Sequence, residues 1–382
     1  MIRLIGRGLL DISRVAHMKR ALSFCRKRSL PKDPRRILCF QMNAIGDAIM
    51  TQPAWANLKI SFPRANIDLI CKPHIAPLFK GDPSIDSVIP FDHRKHRSWI
   101  FKGSAHIEDL LKRRAYDLII DFTALPLTSC ICARHASPPS IGFRREMTSL
   151  LGKFNIAPAY DFTCSYSETE PIREVMARLV ERYTGANLQK PLPKLYVSNR
   201  DLENSFSFLK KNGLKQGKYI VIHPGGKWPP KRWPVPYWQQ LIEFLEGNIR
   251  LPLVIMGNKK DEPLVTAVLS GFEKKSARAA ISEDLVLSAA IIKTAALCIC
   301  NDSAPMHIAA AVGTSSVALF GPVSPERSAP STEEGCRILY DQMFCSPCIL
   351  YYARNRCRRG INFCMYAIQP ETVHNEILHI LS

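Results

Sequence analysis

Short apolar runs alternate with helix-period segments in both halves of this chain, and that alternation constrains its fold more than any other feature. In the first half the runs fall at residues 37–42, 67–71, 87–91 and 118–121, with amphipathic segments at 48–62 and 106–114. In the second half they fall at 219–223, 253–256, 297–301 and 316–320, with helical patterns around 237–245, 262–269 and 285–295. Strand–helix alternation implies parallel sheets covered by helices on both faces, because a parallel connection needs a crossover. A chain of 382 residues is long for one such domain and comfortable for two. Residues 36–190 are expected to form the first domain and 191–370 the second. The proline-bearing segment 188–197 is expected to be a linker or an edge strand beside it. The expected class is α/β: two doubly wound, Rossmann-like domains facing across a cleft, with ligands beyond the C-terminal strand ends.

What flanks this frame is basic. The chain carries 52 Lys and Arg against 33 Asp and Glu, a formal net charge of +19. Such a balance favours anionic partners: nucleic acid, a membrane surface or phosphorylated substrates. Residues 1–35 form a basic amphipathic extension, and its Arg7, Asp11 and Arg14 break the apolar core that a signal peptide needs. Two readings stand for it: an amphipathic helix lying on an anionic membrane, and a solvated or packed basic helix. No stretch of about 18 uncharged apolar residues exists, so no membrane span is expected. Several of the 13 cysteines sit in apolar runs, where a reduced thiol acts as a small hydrophobe. With no export signal, a cytoplasmic location is expected, peripheral on a membrane if the extension binds one.

Three blocks carry candidate chemistry. Asn43 and Gly46 precede Asp47 directly after the first strand run. Asp47 suits a helix N-cap, and the same carboxylate suits a general base at a cleft mouth. After the first run of the second half come His223, Pro224, Gly225, Gly226 and Lys227, then Lys231, Arg232 and Trp233. The glycine pair lets backbone N–H groups approach phosphate oxygens, and the basic residues can neutralise a diphosphate. The third block is Asn301-Asp302-Ser303-Ala304-Pro305-Met306-His307, ahead of a small-residue helix. Asp302 or Ser303 can cap that helix, Pro305 suits its first turn, and its N-terminus is an anion site. His307 reads first as a core residue satisfied by a backbone partner, and otherwise as part of the site.

Near the C-terminus, Cys345, Cys348, Cys357 and Cys364 form C-x2-C-x8-C-x6-C among arginines. The opening C-x2-C suits a tetrathiolate site for a structural zinc or iron. The alternative is four reduced thiols in a loop. A C-terminal helix is expected over 371–382.

Taken together, ILCFQMNAIGDAIMTQPAWANLK, HPGG followed by KRWP, NDSAPMHIAAAVGTSSVALFGPVSPER and the C-terminal cysteine block resemble glycosyltransferase family 9, the ADP-heptose:lipopolysaccharide heptosyltransferases. The resemblance runs from about Arg36 to the end, with the blocks in the family's order. It implies a bacterial enzyme with a GT-B fold and an inverting, metal-independent transfer. By match to the motifs, Asp47 would be the general base. Lys231 would hold the donor diphosphate, with Gly225, Gly226, Asp302, Ser303, Ala304 and His307 around the donor. Asp261 would lie near the ribose. Asn43 and Gly46 would fall on the acceptor side. Family members often carry Thr-Gly where Ser303-Ala304 stands, which adds a methyl to the donor pocket. The implied partners are ADP-L-glycero-β-D-manno-heptose, a lipopolysaccharide core or lipid A acceptor, and an anionic membrane surface; no cofactor is needed for catalysis. Other readings keep the catalysis but use a protein or other glycan acceptor, or make the chain a non-catalytic nucleotide-binding protein. Nucleic acid is not expected, because no nucleic-acid module or exposed aromatic run accompanies the charge.

Overall fold

A computed structural model describes residues 28–92, 103–123, 138–145, 160–167, 169–187, 192–272, 277–348 and 356–382. The amphipathic stretch expected before residue 28 lies outside the described residues. Among them, no helix is long and apolar enough to cross a membrane.

The strands form two six-stranded sheets. The first holds β1 (Arg36–Gln41), β2 (Asn66–Cys71), β3 (Ser87–Pro90), β4 (Leu118–Asp121), β5 (Ser140–Arg145) and β6 (Phe162–Tyr166) in the order β3-β2-β1-β4-β5-β6. The second holds β7 (Ile220–His223), β8 (Leu253–Gly257), β9 (Ala277–Ile281), β10 (Leu297–Asn301), β11 (Ser316–Phe320) and β12 (Cys336–Tyr340) in the order β12-β11-β10-β7-β8-β9. Every pairing is parallel. Both orders start in the middle, run outward to one edge, then return to build the other. The reversal falls between β1 and β4 in the first sheet and between β7 and β10 in the second. Crevices for ligands open at such switch points, beyond the carboxyl ends of the strands.

The central strands are apolar on both faces, as helix-covered parallel strands must be. β8, β10 and β11 are buried along their whole length. Helices between the strands end where the backbone dictates. The helix Ile172–Thr184 stops at Gly185 and the helix Ala304–Val312 at Gly313, both in the left-handed conformation that glycine adopts without strain. Asp284 caps the helix Leu285–Lys293 by accepting from Val286 N–H and Leu287 N–H. The core of the second sheet is anchored by Trp233 and Trp238, edge to face at 4.9 Å. Around the first sheet, Leu38, Phe40, Ile70, Ile119 and Tyr160 share one buried cluster. The segment after the first unit, from Leu192 to Asn199, runs without regular structure until the helix Asn199–Lys211 begins.

By its contacts the chain divides into two compact units: Met1–Asn43, Ala54–Ala76 and Pro83–Lys190 in one, and Ala44–Pro53, Pro77–Asp82 and Pro191–Ser382 in the other. The start of the helix Ile45–Ser61 thus belongs with the second unit. Gln52 explains why: buried, it donates to Asp82 at 3.1 Å and accepts from the Lys194 N–H at 3.1 Å.

Candidate active site

In the second unit, β7 and β10 are neighbours, with Cys300 opposite His223. Their outgoing loops therefore leave the sheet side by side at its switch point. One buried side chain binds them together. Asn301 accepts from Trp233 N–H at 3.0 Å and donates to the carbonyls of Pro224 at 2.7 Å and Gly225 at 3.1 Å. Its full burial leaves no water to replace these bonds. Asn301 was not among the site residues read from sequence, although it opens the third block. Its partners lie 68 to 77 residues away, so only the folded structure reveals its role.

Lys231 and Asp302 meet across this crevice at 2.5 Å. Lys231 sits in the short 3-10 turn Pro229–Lys231, with its ammonium 5.2 Å from the Trp228 ring. Asp302 is held by its own N–H, which donates to Leu319 O. Both side chains are largely buried, 15% and 7% exposed, so each compensates the other's desolvation.

Ser303 takes the N-cap position of the helix Ala304–Val312, but its side chain makes no capping bond. Its hydroxyl instead donates to Asn301 O at 3.1 Å. Ala304 is the first helical residue. The helix start opens beside Asp302 without a side-chain cap; Pro305 has no N–H to offer there, and Met306 N–H donates to Ser303 O at 3.2 Å.

The glycine pair is packed from above. A Cβ on Gly225 would stand 2.8 Å from the Asp261 carboxylate carbon, so only glycine fits there. Gly226 lends its carbonyl to Arg232, which donates at 2.8 and 3.0 Å. Asp261 is buried at the start of the helix Glu262–Leu269, with Arg232 at 3.7 Å. Burial pushes the neighbouring His223 imidazole below its usual range, and the Asp261 carboxylate pulls it the other way.

Asp47 is the third residue of the helix Ile45–Ser61. Its carboxylate accepts from Ala44 N–H at 3.0 Å, a capping contact made from inside the first turn rather than from the N-cap itself. Gly46 is pressed against His307, within the same unit: an added Cβ would lie 2.7 Å from Nε2. The structure thus brings the Asp47 turn against the first turn of the helix Ala304–Val312. In the other unit, Asn43 donates to Thr123 O at 3.2 Å. Thr123 also holds Met42 N–H through its hydroxyl, which fixes the end of β1 beside β4.

Cys345, Cys348, Cys357 and Cys364 border a cavity of about 560 Å³. Burial, helped by the neighbouring thiols, pushes Cys364 up to about 12 and raises Cys348 as well. Among the described residues, no group of three or more His, Cys, Asp or Glu side chains is arranged to hold a metal ion.

Two doubly wound parallel sheets, each with its own switch point, give the chain the architecture of the GT-B class. The sequence model of glycosyltransferase family 9 (heptosyltransferase) matches residues 105–357, and the chain belongs to that family. Lipopolysaccharide heptosyltransferase 1 of Pseudomonas aeruginosa is 25% identical over 300 residues, covering 76% of this chain and 79% of the relative. The glycosyltransferase family 9 structure from Veillonella parvula superposes with a TM-score of 0.77 at 20% identity, over 92% of this chain and 99% of that one. The structure of the Escherichia coli ADP-heptose lps heptosyltransferase II gives a TM-score of 0.71 at 21% identity, over 91% and 98%.

Proposed function

We propose that this enzyme transfers heptose from ADP-L-glycero-β-D-manno-heptose to a sugar of the lipopolysaccharide inner core, with inversion at the anomeric carbon. The observation that carries the reading is the Lys231–Asp302 pair beside an uncapped helix start, at the switch point of the second sheet. That combination suits a diphosphate: a cation and the positive end of a helix converge where negative charge grows as the leaving group departs. The relatives' names supply the substrates, since one acts on lipopolysaccharide and another is named for ADP-heptose.

In this reading Asp47 takes the proton of the acceptor hydroxyl as its oxygen attacks C1 of the heptose. The bond from C1 to the β-phosphate oxygen breaks, and ADP leaves with both electrons. Lys231 and the positive end of the helix Ala304–Val312 stabilise the charge on ADP. Asp302 holds the Lys231 ammonium in place, and Gly225, with no Cβ, lets the Asp261 carboxylate pack against the glycine turn. Ser303 and Ala304 lie where the donor sugar would rest. Asp261 would reach the ribose by way of the Gly225 turn. The strongly basic chain suits a lipid-bound, phosphorylated acceptor at the cytoplasmic face of the inner membrane, where charge speeds the encounter.

A structural zinc or iron on the four thiols is a separate proposal. It is supported by the donor type and by the shared cavity, and it requires the sulfurs to draw together. Elemental analysis of purified protein should find close to one metal per chain. Four thiols freely titratable in metal-free, folded protein would rule it out.

The main test is calorimetric binding of ADP-heptose, ADP-glucose, UDP-glucose and GDP-mannose, followed by transfer to a heptose-free core acceptor. Selective binding of ADP-heptose with product of inverted configuration is the expected result. A preference for another nucleotide sugar would overturn the donor assignment.

A further inference from the structure

The turn that carries Lys231 has little to hold it. It contains two consecutive prolines, and its own bonds are Lys231 N–H to Trp228 O and Arg232 N–H to Pro229 O. The carbonyls on either side of Lys231 are bound from elsewhere. The Asn362 side-chain amide donates to Pro230 O and to Arg232 O, each at 3.1 Å. A single side chain, 130 residues away in sequence, thus grips the backbone before and after Lys231.

Asn362 is itself set by the cysteine-rich loop. Just before it, the Cys357 thiol donates to Ile361 O at 3.1 Å. Just after it, the short helix Phe363–Tyr366 begins, with Met365 N–H donating to Asn362 O at 2.8 Å. Cys364 and Met365 are buried in that helix, and a Cβ on Gly321 would stand 3.0 Å from the Cys364 sulfur. Farther along, Trp233 Nε1 donates to Ile368 O at 2.9 Å, a second tie between the same two segments.

We propose that Asn362 is a positioning residue for transfer: it fixes the Lys231 turn and links it to the four-cysteine loop. This rests on Lys231 as the residue that holds the donor diphosphate. Asn362 touches no reacting atom in this scheme; it sets where the ammonium stands. The cysteine-rich loop then has a task at the donor site that needs no chemistry of its own.

The test is a double-mutant cycle on the full chain, with ADP as the calorimetric probe and the thermal midpoint recorded for each variant. Asn362→Ala should weaken ADP about tenfold, the loss expected for two displaced hydrogen bonds. In a Lys231→Ala background the same change should alter the affinity by less than about twofold, because the group being positioned is gone. Asn362→Ser keeps one hydroxyl donor and should fall between Asn362→Ala and the parent; it also serves if the alanine variant does not fold. An unchanged affinity in both Asn362 variants, or an equal loss in both backgrounds, would overturn the proposal. An unchanged affinity in Lys231→Ala alone would instead remove the Lys231 assignment, and with it the route through which Asn362 acts.

Discussion

Replacing Asn301 with aspartate changes one atom type and almost no volume, yet the structure requires it to be severe. Asn301 makes three bonds from a fully buried position: one accepted from Trp233 N–H, two donated to Pro224 and Gly225 carbonyls. Asn301→Ala removes all three and strands three buried backbone groups. At about 1 kcal/mol for each bond, and about 1–3 kcal/mol for a buried donor left without a partner, the loss is roughly 4–6 kcal/mol. Asn301→Asp keeps the acceptor for Trp233 but turns a carboxylate oxygen toward two carbonyl oxygens. Its loss should therefore equal or exceed that of alanine, despite the matching shape. Calorimetric unfolding would measure both, with ADP titrations alongside. About 1.4 kcal/mol of the loss appearing in loop geometry would weaken ADP tenfold. An aspartate variant with wild-type stability and affinity would refute the idea that this amide ties the two loops together.

The remaining expectations concern Asp47, the glycine beside it and a part-buried ion pair. Asp47→Asn cannot take a proton, so transfer should fall by about 10²–10⁴ while ADP affinity stays within twofold, measured by product formation and calorimetry. Gly46→Ala drives a methyl into His307, 2.7 Å from Nε2, and should destabilise by about 1–3 kcal/mol and slow transfer; adding His307→Ala should restore part of the stability. At Asp161, burial raises the carboxylate pKa, but bonds from the Arg28 side chain and backbone and from Ser140 N–H outweigh it, so the group lies below its ordinary value. A depressed carboxylate contributes stability above its unfolded pKa and loses it as pH falls through the folded one. Acid unfolding below about pH 4 should therefore be steeper in the parent than in Arg28→Ala, and identical acid profiles would dismiss the tie.

The sequence pattern reached the centre of each sheet and, apart from β3, missed the rims. The eight runs read as strands correspond to β1–β4, β7, β8, β10 and β11. The four that escaped are β5, β6, β9 and β12. Three of these are edge strands, half exposed, so they lack an unbroken apolar run: β9 reads ARAAI and carries a partly exposed Arg278. β5 lies inside the sheet but is interrupted by Gly142, whose missing Cβ makes room for the Tyr160 ring. At the site, motif blocks announced Lys231 and Asp302, because residue type and order carry that signal. Their direct pairing was not legible, since it depends on how two loops leave adjacent strands. The same holds for Asn362, a polar residue in a cysteine-rich loop whose partners are 130 and 132 residues distant.

The assignment of Ala44–Pro53 to the second unit bears on how such enzymes can be recombined. A chimera that joins the first half of one relative to the second half of another at a single breakpoint would import Gly46 and Gln52 with the wrong counterparts. Gly46 must clear the incoming histidine at position 307, and Gln52 must find the incoming backbone at 194. Exchanging the first half while grafting the resident 44–53 and 77–82 segments would keep these sets of contacts intact, so viable hybrids of this enzyme call for several crossovers instead of one.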